Sequence, residues 1–330
     1  MNTAYDTDQA MRVAHRDARR RRERLRRRVI VLAAVAVVVA TGVAVAIRGL
    51  HPTRRASARV VVPPAPVAQT PSVRTRPGAP VRVKHAVAAQ YPVTPASRSA
   101  AVPILMYHVI APAPTGAPYP GLYVTPQDFA AQIGGLVHAG FHAVTLDQVR
   151  AAWRGTAGLP SRPVVLTFDN GYRSQYTEAL PILRRAGWVA DENLQLTGLP
   201  PQQGGLTTRQ IRALVKAGWE LDTQGYDHAD LTLLDAAQLR FQIAMTRTRL
   251  RRLYGVAVAW FCYPSGRYDQ AVVDAVRAAG FVGATTVVTG WARPSVDPYT
   301  LPRLRVLAGT TPGQLLAQIE NARNASPPVA

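Results

Sequence analysis

Residues 164–172 read VVLTFDNGY. A run of apolar and β-branched residues ends in Asp169, Asn170 and Gly171, and a helical pattern starts a few residues later. Such a run predicts a strand buried on both faces, which needs a covering layer on each side. It also delivers its polar residues to its C-terminal end, where α/β folds place their chemistry. The flanking chain repeats the pattern. VPILMYH (102–108), HAVTL (142–146), residues 219–223, AWFCYP (259–264), VGATTVV (282–288) and RLRVL (303–307) read as further strands. Between them, residues 126–139, the stretch to about 153, and 176–186, 207–217, 235–254, 268–279 and 311–323 read as helices, with Thr125 and Thr207 or Thr208 placed to cap two of them. Alternation of this kind predicts parallel strands with crossover helices, in a sheet or a barrel. Seven or so units in about 220 residues suit a barrel, although alternation alone does not separate it from an open sheet. VADENLQL (189–196) stands out, because Asp191, Glu192 and Asn193 are out of place in a core strand. They are expected either in a loop or facing a pocket.

The first hundred residues are of a different kind. Residues 1–28 hold ten Arg and four acids (net +6), and residues 48–100 hold nine Lys or Arg and no acid (net +9). That leaves +5 of the chain's +20 for residues 101–330, so the charge is no argument for nucleic-acid binding by the folded domain. Between the basic segments, residues 29–47 are uncharged. A helix of that length spans about 30 Å, the thickness of a bilayer core. The Arg cluster ahead of it favours a cytoplasmic N-terminus and an extracellular C-terminal domain. The expected order is a basic cytoplasmic tail (1–28), a single-pass transmembrane signal-anchor in the cell membrane (29–47), a cationic Pro/Ala-rich linker (48–100), a catalytic-type domain (101–325) and a short tail (326–330). Cleavage after a signal peptide is the rival reading of 29–47. The linker lacks the apolar content to build a core, and its charge reads either as solvation or as attraction to anionic envelope polymers. With the single Cys262, no intramolecular disulfide can form.

TFDNG closely resembles TFDDG, the first motif of the polysaccharide deacetylase family (the NodB homology domain, carbohydrate esterase family 4). PILMYHVI resembles the opening of the extracellular members that act on poly-N-acetylglucosamine. GWELDTQGYDHADL (218–231) is similar to the second motif, usually GHEIGSHTYSHPDL. FCYPSGRYD (261–269) is similar to the third, and the stretch from Gly280 through DPYTLPRLRV follows the closing pattern of that subgroup. The resemblance covers about residues 101–325 and implies a distorted (β/α) barrel with seven strands. It also implies a hydrolase that cleaves the acetamide C–N bond of N-acetylated cell-wall or capsular polysaccharide, with a divalent metal, zinc or similar, held by one Asp and two His.

Transferred by position, the base is Asp169 and the oxyanion donor is the backbone N–H of Ser265. The metal-ligand positions are Asn170, Gln224 and His228. Tyr172, Tyr226, Pro264 and His108 are expected to line the substrate groove. Cys262 aligns with the Arg that often orients the base, and no His follows His228 to serve as the late general acid. Two of three ligand positions are therefore amides, which offer only neutral carbonyl oxygens. An Asp/His/His set cancels one of the two charges of a divalent ion, whereas Asn/Gln/His cancels none. Three readings follow: a deacetylase with a rebuilt site, using Asp222, Asp227 or His108 as replacement ligands; a pseudoenzyme that binds envelope glycans, with Asp169, Asn170, Gln224 and His228 in one hydrogen-bonded network; or a structural envelope protein. Tyr172, Tyr226, Trp260 and Trp291 serve either as sugar-stacking surfaces or as core.

Overall fold

The computed structural model describes residues 91–199 and 204–323. The stretch expected as a cytoplasmic tail (1–28), the uncharged stretch 29–47 expected as a membrane anchor, and most of the expected linker lie outside them. Among the described residues no helix is long and apolar enough to cross a membrane.

The strands are β1 (Ile104–Tyr107), β2 (Val109–Ile110), β3 (Tyr123–Val124), β4 (His142–Ala143), β5 (Pro163–Asn170), β6 (Asp191–Leu194), β7 (Glu220–Thr223), β8 (Trp260–Cys262), β9 (Gly283–Thr285) and β10 (Leu304–Arg305). Seven of them follow one path, β10-β1-β5-β6-β7-β8-β9, with β4 also paired to β5 and every ladder parallel. The path nearly closes on itself. Leu301 pairs with Thr285 and Arg303 N–H donates to Val288 O at 2.8 Å. Leu304 and Arg305, immediately after, pair with β1. The segment 301–305 thus bridges the two open edges of the curled sheet, and the whole is a distorted (β/α) barrel. β2 and β3 form a separate parallel pair beside it.

The helices are α1 (Pro95–Arg98), α2 (Pro126–His138), α3 (Leu146–Trp153), α4 (Leu180–Ala186), α5 (Thr208–Lys216), α6 (Ala236–Arg240), α7 (Thr246–Tyr254), α8 (Gln270–Ala278) and α9 (Pro312–Arg323). Thr125 caps α2, with Pro126 in its first turn, and Thr207 caps α5 with Gln210 answering it across a capping box. Two helices differ from expectation. Gln175–Ala179 is a π-helical turn leading into α4, and Phe241–Met245 is another, splitting 235–254 into α6 and α7. HAVTL yields only two strand residues, because Thr145 breaks off to cap α3. VADENLQL is a strand after all. Asp191–Leu194 pairs on both edges, with β5 and β7, and is fully buried. The described structure also includes residues 91–100, where Trp153 Nε1 donates to Ala100 O at 2.8 Å.

Phe168, Tyr107, Phe129 and Trp219 stack or meet edge-on between the sheet and its helices, with centroids 5.0–5.8 Å apart. The barrel axis, in contrast, is polar: Thr167, Asp169, Asp191, Asn193, Glu220, Asp222, Gln224 and Arg303 are all buried. At the rim of β5 the chain turns on Gly171, whose φ is +89° and whose Cβ, if present, would lie 2.4 Å from Leu194 Cδ1. Gly171→Ala is therefore expected to destabilise the domain by about 1–3 kcal/mol in urea unfolding, from left-handed backbone strain and overpacking together.

Candidate active site

Asp169 is the penultimate residue of β5 and only 1% exposed. Its two carboxylate oxygens are gripped by the Arg303 guanidinium, with Nη1 donating to Oδ1 at 2.8 Å and Nη2 to Oδ2 at 2.9 Å. Asn193 Nδ2 donates to Oδ1 at 2.8 Å, and the Cys262 thiol lies 3.6 Å from Oδ2. Arg303 spends its remaining donors on Thr286 O, Thr167 Oγ1 and Cys262 Sγ. Burial alone would raise the Asp169 pKa, but the Arg303 charge and hydrogen bonds outweigh it and bring it down to about 2. Burial pushes the Cys262 thiol up to about 12, so it stays protonated beside the pair.

Arg303 was not among the residues singled out from the sequence. Cys262 occupies the expected position of the orienting Arg, and the structure brings a different Arg in from the closing strand. The signal was present, since an arginine inside the apolar run TLPRLRVL needs a buried anion.

His108, just past β1, lies with Nε2 3.9 Å from Asp169 Oδ2. Burial holds it near pKa 4, Asp169 pulling the other way and the nearby charges of Arg305, Arg303 and His228 pushing further down, so it is a neutral imidazole at pH 7. Gln175, from the π-helical turn, fixes both residues through their backbones: its Nε2 donates to His108 O at 3.0 Å and to Asp169 O at 2.8 Å. His108 thus reaches Asp169 from the first strand of the barrel.

The ligand positions gather at the same rim with a different wiring from the single network expected. Asn170, at φ +80°, donates from Nδ2 to Gln195 Oε1 at 2.9 Å, and Gln195 passes on to Thr197 O at 2.6 Å. Gln224 follows β7, and its Oε1 is buried with no hydrogen-bond partner. His228 sits at φ +61° on the loop after β7, near enough for its charge to be felt at His108. Ser265, at φ +54°, is exposed in the turn Pro264–Gly266 after β8, while Pro264 is buried. Tyr172 and Tyr226 are half-buried, the latter against Phe241 at 4.7 Å. Trp260 and Trp291 are core: Trp260 Nε1 is bonded to Asp147 and Trp291 Nε1 to Ile319 O. Asp227 is exposed and holds Gln242 Nε2 at 2.7 Å, and Asp222 lies deeper in the barrel.

These residues do not fit a tightly held zinc ion. Asp169 is already neutralised by Arg303, Asp227 is engaged with Gln242, and the Asn170 amide is engaged with Gln195. The other candidate ligands, the imidazoles of His108 and His228 and the carbonyl of Gln224, offer only neutral donor atoms and cancel none of a divalent ion's charge. Among the described residues, the group of three acidic or histidine side chains close enough to share an ion is elsewhere, at Asp191, Glu220 and Asp222.

Residues 157–284 match the family model described as "Polysaccharide deacetylase". A protein of Bacillus subtilis (strain 168) named as a polysaccharide deacetylase, YxkH, is 25% identical over 227 residues, 68% of this chain and 78% of its own length. The poly-beta-1,6-N-acetyl-D-glucosamine N-deacetylase of Escherichia coli (strain K12) is 46% identical over 59 residues, 18% of this chain and 9% of that protein. The solved Streptococcus pyogenes deacetylase PplD shares the fold at a TM-score of 0.62 and 24% identity, covering 67% of this chain and 99% of that one.

Removing Arg303 strands Asp169 in a dry interior. Arg303→Met is expected to cost about 3–5 kcal/mol at pH 7 by chemical denaturation. In the wild type the lowered Asp169 pKa adds stability that is complete above its unfolded value near 4 and fades as pH falls through about 2. The gap between the two proteins should therefore narrow with acidification.

Proposed function

We propose that this chain is a membrane-anchored, extracytoplasmic member of the polysaccharide deacetylase family that engages N-acetylglucosamine-type cell-envelope polysaccharide at the rim of its barrel, with hydrolysis of the acetamide impaired. The observation that carries this reading is the pairing of a retained, Arg-locked Asp169 with amides at two of the three ligand positions. Family members couple that carboxylate to a divalent metal, which activates water and polarises the acetyl carbonyl. Here Asp169, near pKa 2, is a weak base. The rim still offers groups suited to an acetamide and sugar hydroxyls: Gln224 Oε1 as acceptor, the backbone around Ser265 as donor, and the faces of Tyr172 and Tyr226. Anchoring through residues 29–47, with the cationic linker spanning outward, places that rim beside envelope polymers.

A second reading, residual hydrolysis, has one observation in its favour. Nε2 of the neutral His108 stands 3.9 Å from Asp169 Oδ2, a separation that one bridging water spans.

Acetate release from N-acetylglucosamine oligomers, bound metal and glycan affinity, measured on the full chain, separate the two. The wild type is expected to bind glycan without turnover or stoichiometric zinc, and Asn170→Asp combined with Gln224→His to gain both. Turnover with stoichiometric metal in the wild type sinks the proposal. For the anchor, deleting residues 29–47 should move the protein from the membrane to the soluble fraction of a lysate, and an unchanged distribution would count against it.

A further inference from the structure

Among the described residues seven large apolar side chains are exposed, and four of them fall within residues 231–254. Leu233 precedes α6, Phe241 and Met245 are the first and last residues of the π-helical turn, and Leu253 is near the end of α7. Their exposures are 64%, 42%, 60% and 40%. The core is served from the opposite side of the same helices, by Leu239, Ile243 and Leu250. Phe241, Met245, Arg249 and Arg252 follow one another at steps of four, four and three, so they share the face turned away from that core.

The same surface is cationic. α5 carries Arg209, Arg212 and Lys216, and the α6–α7 stretch carries Arg240, Arg249, Arg251 and Arg252, all exposed, with no acidic residue on any of these helices. Arg212 joins α5 to α7: its Nη2 donates to Leu253 O at 2.8 Å and its guanidinium lies over the Tyr254 ring. Arg247 is the exception, turned inward onto Val258 O and Ala279 O. The nearby carboxylates are engaged elsewhere. Asp227 accepts from Gln242, Asp230 pairs with Arg267 and Asp235 caps α6. Among the described residues, none of the seven exposed cations forms a salt bridge.

Unopposed cations gathered on one face fit an anionic partner. The exposed Phe, Met and Leu side chains decide which kind. A soluble polyanion gains nothing from them, whereas a bilayer receives apolar side chains at its acyl boundary while arginines meet the headgroup phosphates. We propose that the face formed by α5, Phe241–Met245 and α7 docks on a bilayer surface bearing anionic headgroups. The contact belongs to the folded domain and does not depend on residues 29–47. It also aims the rim. Gln242, buried beneath the same turn, accepts from Tyr226 N–H at 2.8 Å and donates to Asp227, and the Phe241 ring lies 4.7 Å from that of Tyr226. Docking therefore holds the loop that carries Tyr226 and His228 close to the lipid.

The test uses the full chain with residues 29–47 deleted, so that a failure of the anchor reading leaves it intact. A polarity-sensitive fluorophore is attached through Met245→Cys and, in a parallel protein, through Ala317→Cys, an exposed position of α9 beside β10. The native Cys262 is fully buried and does not compete for the label. The vesicles are phosphatidylglycerol mixed with phosphatidylcholine, or phosphatidylcholine alone. A blue shift of the label on Met245→Cys with the anionic vesicles only, and none on Ala317→Cys, is expected. Adding Arg249→Gln and Arg252→Gln to the Met245→Cys protein should weaken vesicle binding about 25-fold, at about fivefold per arginine near the surface, with an unchanged circular dichroism spectrum. No shift on Met245→Cys, an equal shift on Ala317→Cys, or undiminished binding by the arginine variant would overturn the proposal. An equal shift on Met245→Cys with soluble polyphosphate in place of vesicles would assign the face to a polyanion and likewise overturn it.

Discussion

The ion pair between Asp169 and Arg303 is the constraint on which the centre of the molecule depends. Both side chains are buried, at 1% and 1% exposure, so neither charge is tolerable without the other. The guanidinium contacts Thr167 and Asp169 on β5, Cys262 on β8 and Thr286 just past β9, while its own backbone belongs to the segment that closes the ring onto β1. One side chain therefore ties together the strands on both sides of the seam. The same contact sets the chemistry of the rim. It holds the carboxylate in a fixed orientation and makes it far less basic than a free aspartate.

The distribution of negative charge follows from that arrangement. At the rim, positions that hold a metal in family members carry amides, and the remaining carboxylate is matched by an arginine. Deeper on the axis, where a barrel is ordinarily filled by branched apolar side chains, three carboxylates collect instead.

Much of the fold was legible in the sequence, since the run VVLTF and the alternation around it leave few alternatives to parallel strands with crossover helices. The substitutions at Asn170 and Gln224 were equally plain, because the motif fixes their positions. Other features were hidden. The strand character of DENL was obscured because acidic residues in a core look like loop until a partner is seen, and here Asp191 accepts from a backbone amide of α3 while Asn193 donates to Asp169. The role of His108 was only half visible, since residue type and strand-end position place it at the rim but not beside Asp169. The π-helical turns at Gln175 and Phe241 each rest on i→i+5 bonding that no residue type in the sequence marks.

The sequence by itself determined the order of strands and helices, the carboxylate at the end of β5 and the loss of two metal-binding side chains. These are local properties, readable from neighbours a few positions apart. Which cation answers Asp169, which histidine approaches it and where the spare carboxylates meet were decided only by the closing of the barrel. Arg303 and Asp169 are 134 residues apart in the chain. The contact exists because curling of the sheet brings the last strand against the first, and no local pattern records how tightly a sheet curls.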